Sequence, residues 1–322
     1  MKKVIAVILT VILALSVFAG CSQKSDADLR IAIVKQMDHE SLDEIANAVE
    51  AELNARAAQA GKTIEVKVFS GQNDATVLNQ IGSQIVADGY DAIIPVATLA
   101  AQCMVTAADG TGIPVVYAAV SDPEGSGLTG FDTVTGTSDA LNTPFILKMM
   151  FAVNPDIKTV GLLYSNSETN SALPIQEAKE YLDANGIAYI EATGVNAGEI
   201  ITATSALIGQ VDAVFTPTDN VVMGTEVTVA EMLTEAGVPH YAGADSFVTA
   251  GAFATCGVNY TELGTKTADM AMDILAGGEV PAFHVMDGGI ITVNTDTAAA
   301  LDLDYSAFAG MANTVKEVSA AS

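Results

Sequence analysis

Polar clusters recur along this chain at one kind of place, directly after an apolar run and just before a segment of helical period. They are Gln36 and the loop it opens, Thr98, Ser121-Asp122, Glu168 with Asn170 and Ser171, Asp219-Asn220, and Asp245. Their chemistry is that of holding a small polar molecule. Thr98 opens a helix, where free backbone N–H groups and a hydroxyl suit a carboxylate; Ser121 stands at a similar strand end. Glu168, Asp219 and Asp245 supply negative charge that can meet an ammonium, since a desolvated charge left unpaired is costly. Lysine and arginine are nearly absent from these clusters, so a ligand carboxylate would rely on hydroxyls and backbone N–H groups. Asp219 is the foremost candidate for the ammonium, because it ends a buried strand and Asn220 follows it.

Other chemistries find less support. There is no G-x-S-x-G elbow and no nucleophile–base constellation. His39, His240 and His284 share no ligand spacing, and Cys21, Cys103 and Cys256 form no CxxC, so neither a metal site nor a disulfide framework is expected. Residues 125–130, GSGLTG, match G-x-G-x-x-G. They run into β-like sequence rather than a helix, and Asp122 and Glu124 beside them would repel a pyrophosphate. No cofactor is expected.

The elements that must position the clusters alternate strand and helix. Apolar runs at Leu29–Lys35, Thr63–Phe69, Tyr90–Val96 and Ile113–Val120 read as parallel strands, with helices between them. The first helix opens at Ser41, with Glu44 completing a capping box. The pattern resumes with strands at Thr159–Tyr164, Ile187–Ala192, Val211–Phe215 and His240–Ala244. The fold class is α/β: two lobes, each a parallel sheet flanked by helices, with a ligand cleft between them at the carboxyl ends of the strands. A strand at Phe253–Val258 and a helix at Leu263–Leu275 are read as returning to the first lobe, and the tail as crossing once more. The expected division is residues 29–137 plus 252–280 for the first lobe and 138–251 plus 281–322 for the second.

The chain has 322 residues and a formal charge of −26. That balance argues against nucleic acid or an anionic lipid surface as a partner. Lys2-Lys3, an apolar run from Val4 to Val17, and small residues before Cys21 read as a signal peptide over residues 1–20 that ends in a bacterial lipobox. Cys21 would carry the lipid, residues 21–28 would be a tether, and the mature protein would sit outside the cytoplasmic membrane.

Several segments together resemble the ABC transporter substrate-binding proteins of the TrpX-like family, which have the type I periplasmic-binding fold. They are QMDHESLD at 36–43, ATLAAQ at 97–102, IPVVYAAVSDPEGSGL at 113–128, TGTSD at 135–139, LLYSNSETNS at 162–171, TPTDN at 216–220 and NYTELG at 259–264. The resemblance implies an amino acid, aromatic ones favoured, held by Thr98, Ser121, Glu168, Asn170, Ser171, Asp219 and Asn220. It implies delivery to an ABC permease by a monomer with no enzymatic activity. A sensor that presents its closed form to a membrane receptor is the alternative, and an extracytoplasmic enzyme, which would need a nucleophile–base constellation, is the third reading. The chain has no tryptophan, so stacking on a ligand ring would use Tyr117, Tyr164 or Phe247.

Overall fold

The computed structural model describes residues 27–319. The expected signal peptide, Cys21 and most of the tether lie outside the described residues. Asp28 belongs to the folded body: its carboxylate accepts from Thr63 N and Thr63 Oγ1, both at 2.8 Å. Among the described residues no helix is long and apolar enough to cross a membrane.

The first lobe is built from β1 (Leu29–Lys35), α1 (Glu40–Gln59), β2 (Ile64–Ser70), α2 (Ala75–Asp88), β3 (Ala92–Val96), α3 (Thr98–Ala108), β4 (Val115–Tyr117) and β5 (Val134–Ser138). The second holds α4 (Thr143–Val153), β6 (Thr159–Tyr164), α5 (Ala172–Asn185), β7 (Ala188–Thr193), α6 (Ala197–Leu207), β8 (Ala213–Thr216), α7 (Asn220–Met223), α8 (Glu226–Glu235), β9 (His240–Ala242), α9 (Asp245–Thr249) and β10 (Ala254–Gly257). Then α10 (Tyr260–Leu275) and β11 (His284–Val285) return to the first lobe, and β12 (Ile290–Asn294), α11 (Thr295–Ala300) and β13 (Thr314–Val318) finish the second.

The first sheet has the order β11-β5-β4-β3-β1-β2 and is parallel throughout. The second runs β13-β12-β10-β9-β8-β6-β7, parallel except where β10 meets β12. Wholly buried strands such as β3 and β8 carry no polar face, as expected when helices cover both sides of a sheet.

The crossings differ from the expected division. The strand at 254–257 pairs with β9, so it stays in the second lobe, and the chain crosses only at 258–259. The next crossing also comes later, because β11 pairs with β5 and the chain leaves the first lobe only after Val285. Apolar strands of equal length fit either sheet, and only the pairing partner distinguishes them. The first helix differs too: α1 starts at Glu40, its cap residue His39 makes no side-chain cap, and Ser41 Oγ instead donates to Ser246 Oγ at 2.6 Å across the lobe seam. After Asp219 the chain forms two short helices, α7 and α8, separated by a break at 224–225.

Candidate functional site

The carboxyl ends of strands β1–β5 and β6–β10 face one another, while β12 and β13 run the other way. A small cavity of about 30 Å³ remains between the lobes, lined from the first lobe by His39, Ser41, Thr98, Ser121 and Asp139, and from the second by Asn170, Thr218, Asp219, Asn220 and Ser246. Its apolar wall includes Leu42, Ile45, Met223 and Phe247. That space admits a water or two and no amino acid.

The seam is closed by direct contacts. Gln36 Nε2 donates to Glu168 Oε1 at 2.7 Å, His39 Nε2 lies 3.1 Å from Asn220 Oδ1, and Ser121 Oγ lies 3.1 Å from Thr218 Oγ1. Gly243 lets the Thr218 loop settle against the end of β9, since a Cβ there would come within 2.5 Å of Thr218 N. Two alanines at strand ends on the cavity wall hold left-handed backbone, Ala97 at φ 77° and Ala119 at φ 55°. Such strain persists only where the surroundings over-determine it.

The sequence-predicted residues separate by role. Thr98, Ser121, Asn170, Asp219 and Asn220 line the cavity. Gln36 and Glu168 stand beside it as the bridge between lobes. Ser171 is a second-lobe scaffold, its hydroxyl donating to Asp219 Oδ2 at 2.7 Å. Asp122 turns away from the cavity and caps its own turn, accepting from Gly125 N at 2.9 Å. Asp245 opens α9 at the outer seam, where burial and the charge of Glu44 push its carboxyl up; its neighbours Ser246 and Phe247 reach the cavity instead. Of the aromatic candidates, Phe247 lines the cavity, Tyr117 is buried in the first-lobe core, and Tyr164 binds Glu191 on the second lobe.

Asp219 is fully engaged within its own lobe. Oδ1 accepts from Val221 N and Val222 N, both at 3.0 Å, and Oδ2 from Ser165 N at 2.6 Å and Ser171 Oγ. It caps α7 and leaves little for a ligand. Glu168 is also crowded: Oε2 accepts from Asn220 Nδ2 at 2.7 Å and Asn220 N at 3.3 Å. Burial first, and the nearby charge of Asp219 second, push its carboxyl up to about 7.

The sequence reading missed Asp139. This carboxylate follows β5 at the first crossing, is buried, and lines the cavity. Oδ1 accepts from Ser121 Oγ at 3.0 Å and Oδ2 from Tyr260 Oη at 3.2 Å. Burial pushes it up, and the two hydroxyls only partly oppose that. The signal available was its place, an acidic residue directly after a strand that ends in a crossing. On its other side, with Tyr260, it borders a larger chamber of about 760 Å³ at the hinge, walled by the crossings around Asn142, Val258 and Gly289. His39 and Tyr260 were missed as well; each lay in a segment read as loop or helix start.

The family model for "ABC transporter substrate binding protein" matches residues 30–309. The chain belongs to that family. A tyrosine-binding protein of Clostridioides difficile (strain R20291) is 30% identical over 323 residues, covering 94% of this chain and 93% of that protein. A Streptococcus pneumonia ABC domain solved in complex with L-Trp is 26% identical, with TM-score 0.82, covering 89% of this chain and 99% of the other. The ligand-free, open structure of a Clostridium difficile substrate-binding protein with adhesive properties is 30% identical over 91% of this chain and 100% of the other, yet its TM-score is only 0.68. The fold is therefore of the type I periplasmic-binding kind. The TM-score is higher with the Trp complex than with the open form, although the sequence is nearer to the latter, which favours a closed arrangement of the lobes. The short contacts across the seam agree with that closed arrangement.

Proposed function

We propose that this protein is the extracytoplasmic, lipid-anchored binding component of an ABC importer, and that its ligand is an aromatic amino acid held between the lobes. The observation that carries this reading is Asp139, a buried carboxylate on the cavity wall whose side-chain partners are the hydroxyls of Ser121 and Tyr260. A buried carboxylate gains most from a cation, and an α-ammonium seated there would displace a hydroxyl at little cost. The ligand carboxylate would lie near the start of α3, against Thr98 and the strained Ala97 turn. Leu42, Ile45, Met223 and Phe247 offer a ring an apolar wall. The relatives named for tyrosine and for L-Trp support an aromatic ligand. Entry requires the lobes to part, the hinge motion of binding proteins.

Calorimetry of the purified protein with tyrosine, tryptophan and phenylalanine, set against alanine, glutamate and arginine, tests the ligand class. Saturable binding of an aromatic amino acid is expected. Binding of small or charged amino acids alone would replace the reading. The anchor is tested separately: Cys21→Ala should abolish fatty-acid labelling in cells, and a variant that still labels would remove the lipoprotein assignment.

A further inference from the structure

His39 sits at the seam in the loop between β1 and α1, and its protonation can be read from its neighbours. Asn220 Nδ2 lies 2.7 Å from Glu168 Oε2, where the NH₂ end of the amide is the one that donates. The oxygen end of Asn220 therefore faces His39, 3.1 Å from Nε2. An amide oxygen only accepts, so Nε2 carries the proton. Burial holds the imidazole below its ordinary range, so the ring is neutral near pH 7. Nδ1 is then a lone-pair acceptor. It is buried and has no hydrogen-bond partner among the described residues. The residue lines the ligand cavity together with Ser41, Leu42 and Phe247.

We propose that His39 is a specificity-determining residue: its Nδ1 accepts a hydrogen bond from a donor carried on the ligand's aromatic ring, a phenol O–H or an indole N–H. The inference rests on the aromatic amino acid reading above and narrows it to rings that bear a donor. A ligand ring without one would seal the acceptor away from water unpaired, and a site built to bond a polar group rejects the analogue that lacks it. Tyrosine and phenylalanine differ only in that group.

The test is the ratio of tyrosine to phenylalanine affinity, measured by calorimetry on three proteins. The wild type should prefer tyrosine on the order of tenfold or more. His39→Gln places an amide N–H where Nε2 stood, keeping the contact to Asn220, but has no acceptor at the Nδ1 position; its ratio should fall to about one. His39→Asn restores an acceptor near the Nδ1 position and should recover a tyrosine preference, even with both ligands weakened. Loss of preference in Gln and its return in Asn is not what a merely structural role would give. Equal wild-type affinities, or a preference that survives His39→Gln, overturn the inference while leaving the aromatic reading in place; the donor to Nδ1 would then be the ligand ammonium or a water. Failure of every aromatic amino acid to bind overturns both.

Discussion

Gln36 and Glu168 meet across the lobe seam, the amide Nε2 of one donating to the carboxylate Oε1 of the other at 2.7 Å. The same amide accepts from Leu99 N at 3.1 Å and donates to Asn73 Oδ1 at 2.8 Å. One side chain thus ties the end of β1 and the start of α3 to the second lobe. Three more side-chain contacts cross the seam, His39–Asn220, Ser41–Ser246 and Ser121–Thr218. Each exchanges protein partners for water when the lobes part, so each contributes only about 1 kcal/mol net. Closure is therefore a balance that one substitution can shift.

Gln36→Leu is expected to shift that balance toward the open form. It removes the donor to Glu168 and leaves a buried carboxylate short of a partner in the closed state alone. Small-angle scattering of the ligand-free variant should give a larger radius of gyration than the wild type, and ligand affinity should fall by about 1–3 kcal/mol. An unchanged radius and affinity would show that the bridge does not govern closure.

Glu168 should make stability depend on pH. Its folded value, about 7, lies above the 4.5 of the free side chain because of burial and the neighbouring Asp219. The folded protein then holds a proton that the unfolded chain has released, so stability is full below about pH 4.5 and falls as pH rises toward 7. The loss is on the order of 1–3 kcal/mol. Denaturant titrations across that window should show the decline in the wild type and a shallower one in Glu168→Gln. Equal slopes would assign the effect to another group.

Ala97 holds φ 77° and ψ 164°, a region that glycine occupies freely and alanine does not. Ala97→Gly should relieve strain of about 1–3 kcal/mol, set against about 0.5–1 kcal/mol of added chain entropy in the unfolded state. The midpoint of thermal unfolding should rise by a few degrees, while the looser turn at the start of α3 should weaken ligand binding. A lower midpoint would mean that the turn is not strained.

Much of the fold was legible because its signals are local. Apolar runs mark strands without reference to the rest of the chain, whereas the capping box read at Ser41 and Glu44 is not formed and the helix expected from Leu263 starts at Tyr260. The crossing after β10 was misplaced because strand membership is a long-range fact: Ala254 finds Tyr241 in the second sheet, and nothing in residues 253–258 specifies that. The cleft was legible as a place, and Thr98, Ser121 and Asn170, expected at strand ends, line the cavity there. Roles were not legible. Asp122 and Asp219 are acidic residues at strand ends like Asp139, yet hydrogen-bond partners set all three apart, and partners come from the assembled fold.

Asp139 and Asp219 provide the sharpest separation of binding from scaffold. Asp219 has four donors arranged around two oxygens, and three of them are backbone N–H groups that cannot reverse. In Asp219→Asn one oxygen becomes an NH₂, which confronts an N–H or a short hydroxyl contact on one side whichever way the amide turns. That change should destabilise the second lobe by about 1–3 kcal/mol. Asp139 has only hydroxyl side-chain partners, Ser121 Oγ and Tyr260 Oη, and a hydroxyl can accept as readily as donate. Asp139→Asn should therefore keep the fold and its unfolding midpoint, or even raise it, because an uncompensated buried charge is gone. If this carboxylate meets the ligand ammonium, binding should weaken by about 2–5 kcal/mol, the range for losing one partner of a buried charge pair. Denaturant melts and calorimetry on the two variants decide the assignment. Wild-type affinity in Asp139→Asn, with a large loss in Asp219→Asn at unchanged stability, would move the ammonium to the second lobe.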